Sequence, residues 1–529
     1  MFFSNSIYNH GRRNKGMRWG KAILPLLVLL LFSKMEVYGA DERQIKVQLK
    51  SGEEAAENNL KALKSAFAQG GQDKVLRVTV SKRGIYYIGS DKRSSTIKIR
   101  SNTIFDLNGA TLIRNHNTGN FIQNVSSEGK QDIGGYDLST DITIMNGVLD
   151  GGKYINNSSN IINIGHAKNV TIQNVSLRNI KGGHFLEFAG VKDSLVKSCT
   201  FSNSKGNDPI EDIYEAIQIE SCSGLVDAKW NNTYLLDKTA CKNITITDCQ
   251  FYDCTYGVGN HHAIAQNHCQ NIFITNNIFY SRNSDGFAIR SCAFDNLVIK
   301  NNTILGKFSR GISIHGGSAL ITGNKIGSAD DYFKGRGILV YDGESVIDKE
   351  PYFTSEKVSR IDISNNKIFG NCEKNMSSIA IYSSKLPSDI YNNKIYNKTG
   401  GGIRISGNQV SVKNISGNII CVNNNFPIVV CGSKVTTIEK NRIEKALSKG
   451  IFIKDMAKVK KIKDNVIRNT RSDAIYIDTY SDFLEITKNT IYRSKRYGVV
   501  YPKKKHKVKV KSNIFYYCTN GKIKVIGRG

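Results

Sequence analysis

Carboxylates, imidazoles and guanidinium groups crowd one stretch of this 529-residue sequence, from His184 to His315. Glu215 and Asp285 have the most specific chemistry. If they occupy one column of a stacked sheet two strands apart, their backbones are about 9.6 Å apart. Side-chain tilt then brings the carboxyl groups within roughly 6.5–9.5 Å, with room for a water between an acid and a base. That is the geometry of inverting glycoside hydrolysis. His261 lies between them in the sequence and can tune or relay a proton, with His262 beside it. Arg290 and Arg310 can fork onto a substrate carboxylate. Glu187, Gln218, Glu220 and His315 fall on outward strand positions and join the expected substrate contacts. Trp230 shares an insertion with Tyr234, and such aromatic faces can stack on sugar rings.

A second chemistry uses other residues. Asp208, Glu211 and Asp212 form an acidic patch with Glu215 that can bind Ca²⁺ through oxygen ligands. The ion would acidify a uronate α-proton for elimination, whereas the hydrolytic route needs no cofactor. A solvated acidic loop is the plain alternative for the patch. Outward strand positions are also ordinarily polar, and that is the plain alternative for the whole cluster.

The elements that must position these groups are read from a repeat. Asn recurs at 277, 302, 324, 366, 393, 418, 441, 465, 489 and 513, with the last three steps each 24 residues. Each Asn ends an alternating apolar strand, as in Leu297–Ile304, and a small residue followed by apolar-x-apolar comes after, as in Gly311–Ile314. The step of 42 residues from Asn324 holds an insertion around Asp342 to Thr354. Such a period, filled with period-2 strands, excludes helical repeats, and the leucine-rich consensus is missing. A parallel β-solenoid of about fourteen coils remains, roughly 65 Å long at the inter-strand spacing. Stacked Asn amides can bond each other along the axis.

Aligning the small-apolar-x-apolar strands places His184, Glu215, Tyr256, Asp285 and Arg310 in one column. Gly259 and Ala288 leave room beside them. The insertions Asn203–Tyr214 and Ser221–Lys242 are expected to wall a groove there. Ser51-Gly52-Glu53-Glu54 fits a capping box ahead of a helix that puts Leu60, Leu63 and Phe67 on one face. Lys503 to Lys511 reads as a final strand whose charges discourage edge pairing.

Residues 1–40 read as an export signal: Arg12, Arg13, Lys15, Arg18 and Lys21 precede the apolar run Ala22–Phe32, and Gly39-Ala40 close it. An uncleaved anchor is the alternative. Residues 41–72 are expected to be a linker and capping helix, and 73–529 the solenoid. The net charge is +29, so an anionic partner is expected. Export makes nucleic acid a poor one and favours polysaccharide or an anionic cell-wall polymer. No membrane span is expected after signal removal, and a monomer is expected. Eleven cysteines are an odd number; Cys222 and Cys241 flank one loop and are the best-placed disulfide pair, while Cys199 and Cys249 read as buried thiols.

The sequence resembles the right-handed parallel β-helix group typified by pectate lyases and polygalacturonases. The resemblance rests on the helix from Asn59, Gly70-Gly71, Lys82–Tyr86, Ser101–Ala110 and Gly147–Gly151. It implies an all-β right-handed parallel β-helix with an N-terminal capping helix. Asp285–Ser291 is similar to the polygalacturonase strand that carries catalytic aspartates. However, Ser284 replaces the first of the pair, and Gly259–His262 is only the nearest stretch to that family's Gly-His-Gly. The implied function is an exported carbohydrate-active protein, with polysaccharide hydrolysis favoured. A uronate lyase, an epimerase and a non-catalytic glycan-binding solenoid are the alternatives.

Overall fold

The computed structural model describes residues 42–71, 74–90, 95–116, 119–130, 132–152, 159–205, 214–222, 234–261, 263–264, 267–282, 286–347, 352–356, 358–504 and 506–527. The segment read as an export signal, 1–40, lies outside them. No described helix is long and apolar enough to cross a membrane.

The described chain from Arg43 is an all-β, right-handed parallel β-helix. A long sheet contains two strands from most coils, and a second sheet of sixteen strands contains one. The stack is therefore about sixteen turns, two more than the Asn column predicts, because stacking starts before that column. Val75–Val80 already pairs in parallel with Thr103–Asp106, and Ile97–Ile99 with Ile122–Asn124.

Alternation along each strand sends Ile, Val, Leu and Phe into one continuous core. Phe201, Phe251 and Phe279 stack there with centroids 4.9 and 4.5 Å apart. Each buried ladder Asn from 277 to 489 donates its backbone N–H and a side-chain N–H to the Oδ1 of the next one. Asn393, for instance, reaches Asn418 at 2.9 and 3.0 Å. A second side-chain N–H goes to a carbonyl of the preceding coil, as from Asn418 to Ile390 at 3.0 Å. The turn itself falls on the residue before: Asn276, Asn301, Asn365 and Asn392 take φ of 55–57°. Cys249 occupies the same row, and its backbone N–H donates to Asn277 Oδ1 at 2.8 Å.

A short helix, Ala56–Phe67, covers the first coils with Leu60, Leu63 and Phe67 buried. The capping box does not form. The turn Glu53–Ala55 precedes the helix, and no side chain caps either start. Asn59 instead holds the incoming strand by exchanging hydrogen bonds with the Lys50 backbone at 2.8 and 2.7 Å.

At the far end, Lys503–Lys511 is not the final strand. Only Lys509–Lys511 is extended there, and Ile514–Tyr516 and Gly521–Ile526 follow. All eleven cysteines are free thiols, which corrects the Cys222–Cys241 pairing. The Cys241 thiol donates to the Phe188 and Glu220 carbonyls at 3.3 and 3.1 Å.

Candidate functional site

On the second sheet, Leu186–Ala189, Glu215–Glu220, Tyr256–Gly259, Phe287–Cys292, Arg310–His315 and Arg336–Tyr341 are consecutive neighbours. Their register corrects the sequence alignment by two residues. Gly259 stands between Gln218 and Arg290, because Val258 pairs with Ile289. The misreading came from Ser291: it takes the second core position, fully buried, where an apolar residue was expected. Phe287, not Asp285, therefore continues the column of Glu215 and Tyr256 toward Arg310. Gly259 leaves no void either, since a Cβ there would lie 2.4 Å from the Arg290 carbonyl.

Three strands bring His184, Glu215 and His261 together. His184 precedes the first, Glu215 opens the second and His261 follows the third. One ligand atom from each lies within 4.8 Å of the others. His261 Nε2 faces Glu215 Oε2 at 2.5 Å, with Glu215 almost wholly buried. The Nδ1 of His184 is 2.7 Å from the Glu215 carbonyl oxygen, and the two imidazoles are 5.6 Å apart. Glu220 Oε1 accepts the His261 backbone N–H at 2.8 Å. The Cys292 thiol donates to the His261 carbonyl at 3.1 Å.

Burial alone lowers an imidazole pKa. It does so at His184, where the His261 cation adds to the effect and the value falls to about 4. His261 suffers the same burial, but the Glu215 carboxylate in contact, helped by Glu220, overrides it and pushes the value up to about 9. Burial opposes the Glu215 anion, yet His261, His184 and Arg290 bring its pKa below the ordinary range. Glu220 is pushed up to about 7, with burial the largest cause.

Arg290 connects this trio to a second group. Burial opposes its charge, but Cys292 and Glu215 nearby keep its pKa raised. Its buried Nε and Nη1 have no hydrogen-bond partner. Arg310 lies over the Phe287 ring at 5.1 Å and donates to Tyr341 Oη at 3.0 Å. His315 contacts the Tyr341 ring, with centroids 3.9 Å apart, and Ser313 Oγ at 3.0 Å.

The remaining expectations divide. Gln218 is buried beside Glu220. Glu187 sits in the same row as Gln218, but Asn160 and Asn163 Nδ2 donate to it, which makes it a structural partner of those amides. Tyr234 offers no open face: it is buried, its ring packs on Gly165, and its hydroxyl donates to Asn124 Oδ1 at 2.6 Å. Asp285, His262, Trp230, Asp208, Glu211 and Asp212 lie outside the described residues. So does most of each insertion expected to wall the groove.

A different insertion supplies a described wall. Gly343–Ile347 and Tyr352–Glu356 form an antiparallel hairpin. Its first strand pairs in parallel with Ala263–Ile264, just past His261, and packs beside the strands of Arg290 and Arg310. His184 is the residue missing from the expected site set. Its place in the column of Glu215 was the signal available for it.

Residues 352–515 match the family model for a right handed beta helix region. The chain is 30% identical over 199 residues to plasmin and fibronectin-binding protein A of Streptococcus pneumoniae, a match covering 34% of this chain. It spans about a quarter of that curated relative's length, 27%. Among solved structures it is similar to the S. pneumoniae surface protein and adhesin PfbA, at 17% identity and a TM-score of 0.40, over 91% of this chain and 100% of that one. The tailspike protein of E. coli bacteriophage HK620, solved with a pentasaccharide, is 12% identical with a TM-score of 0.46, over 90% and 80% of the two chains.

Proposed function

We propose that this chain is an exported surface protein that cleaves an acidic polysaccharide on its second sheet, by hydrolysis. The observation that carries this is Arg290, whose buried Nε and Nη1 are unpaired beside the Glu215–His261 ion pair. Buried donors are ordinarily satisfied, so such a cation fits an anion supplied by a ligand. A sugar carboxylate matches its planar fork. Bound there, a uronate residue would lie against Glu215 and His261. The carboxylate can then orient a water, and the imidazolium can protonate a departing sugar oxygen. Arg310 and Tyr341 would flank the neighbouring sugar. Asp285 is retained as a second carboxylate for this reaction only on the resemblance of Asp285–Ser291 to the polygalacturonase strand, since the register removes it from the column of Glu215.

The test is an assay of polyuronates for new reducing ends, read together with ultraviolet absorbance of an unsaturated product. Glu215→Gln should lower hydrolysis by about 10²–10⁴-fold, the usual worth of a positioned acid or base. Arg290→Gln should raise KM for charged substrates more than for neutral ones. Unsaturated product would transfer the reading to elimination. Wild-type levels of hydrolysis in both variants would end it.

A second reading has its own support. The 30%-identical relative is named for binding plasmin and fibronectin. Under this reading the solenoid is an adhesive surface with no reaction. Binding to those proteins, with no product from any polyuronate, would favour it.

A further inference from the structure

We infer that His184, Glu215 and His261 form a binding site for one divalent first-row transition-metal ion, with zinc the best fit. This rests on the proposed function's reading of the pocket as the reaction centre and replaces its roles for two residues: as ligands, Glu215 and His261 would hold the ion, and a water on the ion would take over the proton transfer assigned above to the carboxylate and the imidazolium. Two imidazoles and one carboxylate are the donor set of such ions, whereas Ca²⁺ takes oxygen ligands. The three ligands come from three neighbouring strands, so the hydrogen-bonded sheet fixes their spacing. Their donor atoms lie within 4.8 Å of one another. Around a tetrahedral ion with bonds near 2.1 Å, ligand atoms stand about 3.4 Å apart, a closure within reach of side-chain torsions.

Two further observations point to a ligand. The Nδ1 of His184 is held at 2.7 Å by the Glu215 carbonyl oxygen, which fixes the tautomer with Nε2 unprotonated, the form a metal ligand needs. Backbone carbonyls do this for metal-bound histidines. Glu215 is 1% exposed, and its Oε1 has no hydrogen-bond partner. A buried carboxylate oxygen in that state is costly unless a cation takes it. Around them, Glu220 holds the His261 N–H and Cys292 the His261 carbonyl, so the third ligand is anchored from both sides of its peptide. Three protein ligands leave a coordination position for a water or a sugar oxygen, the arrangement of reactive sites rather than closed structural ones.

The test uses the full chain, stripped with a chelator and dialysed against Zn²⁺, with bound zinc measured by mass spectrometry. Stoichiometry of one ion per chain is expected. Co²⁺ in its place should give visible bands of a four- or five-coordinate nitrogen–oxygen site, with no thiolate charge-transfer band. His184→Gln and Glu215→Gln should each weaken zinc binding by more than about 100-fold, beyond the loss of an outer-shell partner. If His184→Gln does not fold, His261→Gln gives the same test at a side chain that is 23% exposed.

Cys241→Ser is the control, because Cys222, Cys241 and Cys269 are buried free thiols that also bind zinc if they converge. No stoichiometric ion, a thiolate band, or loss of zinc in Cys241→Ser but not in His184→Gln would overturn the inference. Zinc binding needs no substrate. A bound ion without cleavage therefore leaves the site standing and removes only the proposed reaction. Full cleavage by protein that takes up no metal does the reverse.

Discussion

The asparagine row of the long sheet and the polar groups of the second sheet both set polar atoms among core isoleucines. The asparagines do so in successive coils of one row, whereas Glu215 and Arg290 stand in two different rows of their sheet. They differ in how their hydrogen bonds are closed. Asn418 accepts from the Asn393 N–H and amide and donates to Ile390 and Asn441. In the second sheet, Arg290 Nε and Nη1 and Glu215 Oε1 have no partner. A closed row contributes to the fold, whereas an open row costs free energy that a ligand can recover. Burial and polarity alone do not mark a site, and neither do unpaired atoms alone, since Arg114 Nη1 and Nη2 are also buried without a partner; here they stand beside an acid–imidazole pair.

The largest effect should come from breaking this contrast. Asn418→Ala leaves the Asn393 N–H and amide and the Ile390 carbonyl unmet in the core. It should cost about 3 kcal/mol of stability, at about 1–3 kcal/mol per orphaned buried group with partial relaxation. Activity or binding at the second sheet should not change. Arg290→Ala should do the opposite: stability within about 0.5 kcal/mol of wild type, or higher, with ligand affinity lost. Paired denaturant melts and binding isotherms check both. Equal destabilisation by the two variants would show that Arg290 is as structural as the ladder.

The ladder was legible in the sequence because each Asn from 277 to 489 bonds the next, which repeats one residue type at the coil period. Asn302 and Asn324 announce their coils whatever surrounds them. The second sheet was legible only as a region. Its register turned on Ser291, a polar residue in a core position that pattern reading takes for an outward one. That slip put Asp285 in the place of Phe287 and kept Arg290 out of the row of Gln218. His184 stood in the right column, but proximity to Glu215 and His261 depends on side-chain direction at strand ends, where alternation gives no rule. The wall beside the site was also hidden. The hairpin from Gly343 belongs to a coil several turns away in sequence, and only its pairing with Ala263–Ile264 brings it back.

A smaller effect should sharpen the contrast through pH. His315 is held at about 2 by burial, with the Arg290 and Arg310 cations adding to it; the Tyr341 ring and hydroxyl complete its surroundings. The folded state therefore keeps this imidazole neutral, while the unfolded chain protonates it near 6.5. Between those values the unfolded state binds the extra proton, so stability rises with pH. This group's contribution is intact above about pH 6.5 and is lost progressively as pH falls, by about 1.4 kcal/mol per unit. Isosteric His315→Gln should flatten that part of the profile by about one proton. Melts from pH 4 to 7 measure it, and an unchanged slope would mean that His315 is protonated in the fold.

The smallest effect concerns the regular coils at the far end. From Lys434 to Gly529 there are 25 Lys+Arg against 8 Asp+Glu, an excess of 17. The structure alters which of these charges are worth testing. Lys504 is mostly buried and donates to the Ser481 carbonyl, so it serves the fold; Lys505 lies outside the described residues. Lys458, Lys460 and Lys461 are exposed along one strand of the closed row's sheet, and Lys488 is exposed just past the neighbouring strand Asp482–Thr487. A solvated basic face needs no partner, but an anionic wall polymer or acidic glycan would meet these charges on two neighbouring coils about 4.8 Å apart. Changing all four to Ser should leave the melting temperature within a degree or two, since exposed charges are worth little individually. Retention on polyuronate or isolated cell wall should weaken by less than about tenfold at 0.1 M salt. Both proteins should converge as salt rises, because exposed charges are screened over about 10 Å at 0.1 M and about 3 Å at 1 M. If the four-serine variant is instead retained like wild type at every salt concentration, the basic face is only a soluble exterior. The anion preference of the molecule would then reside in the open row around Arg290.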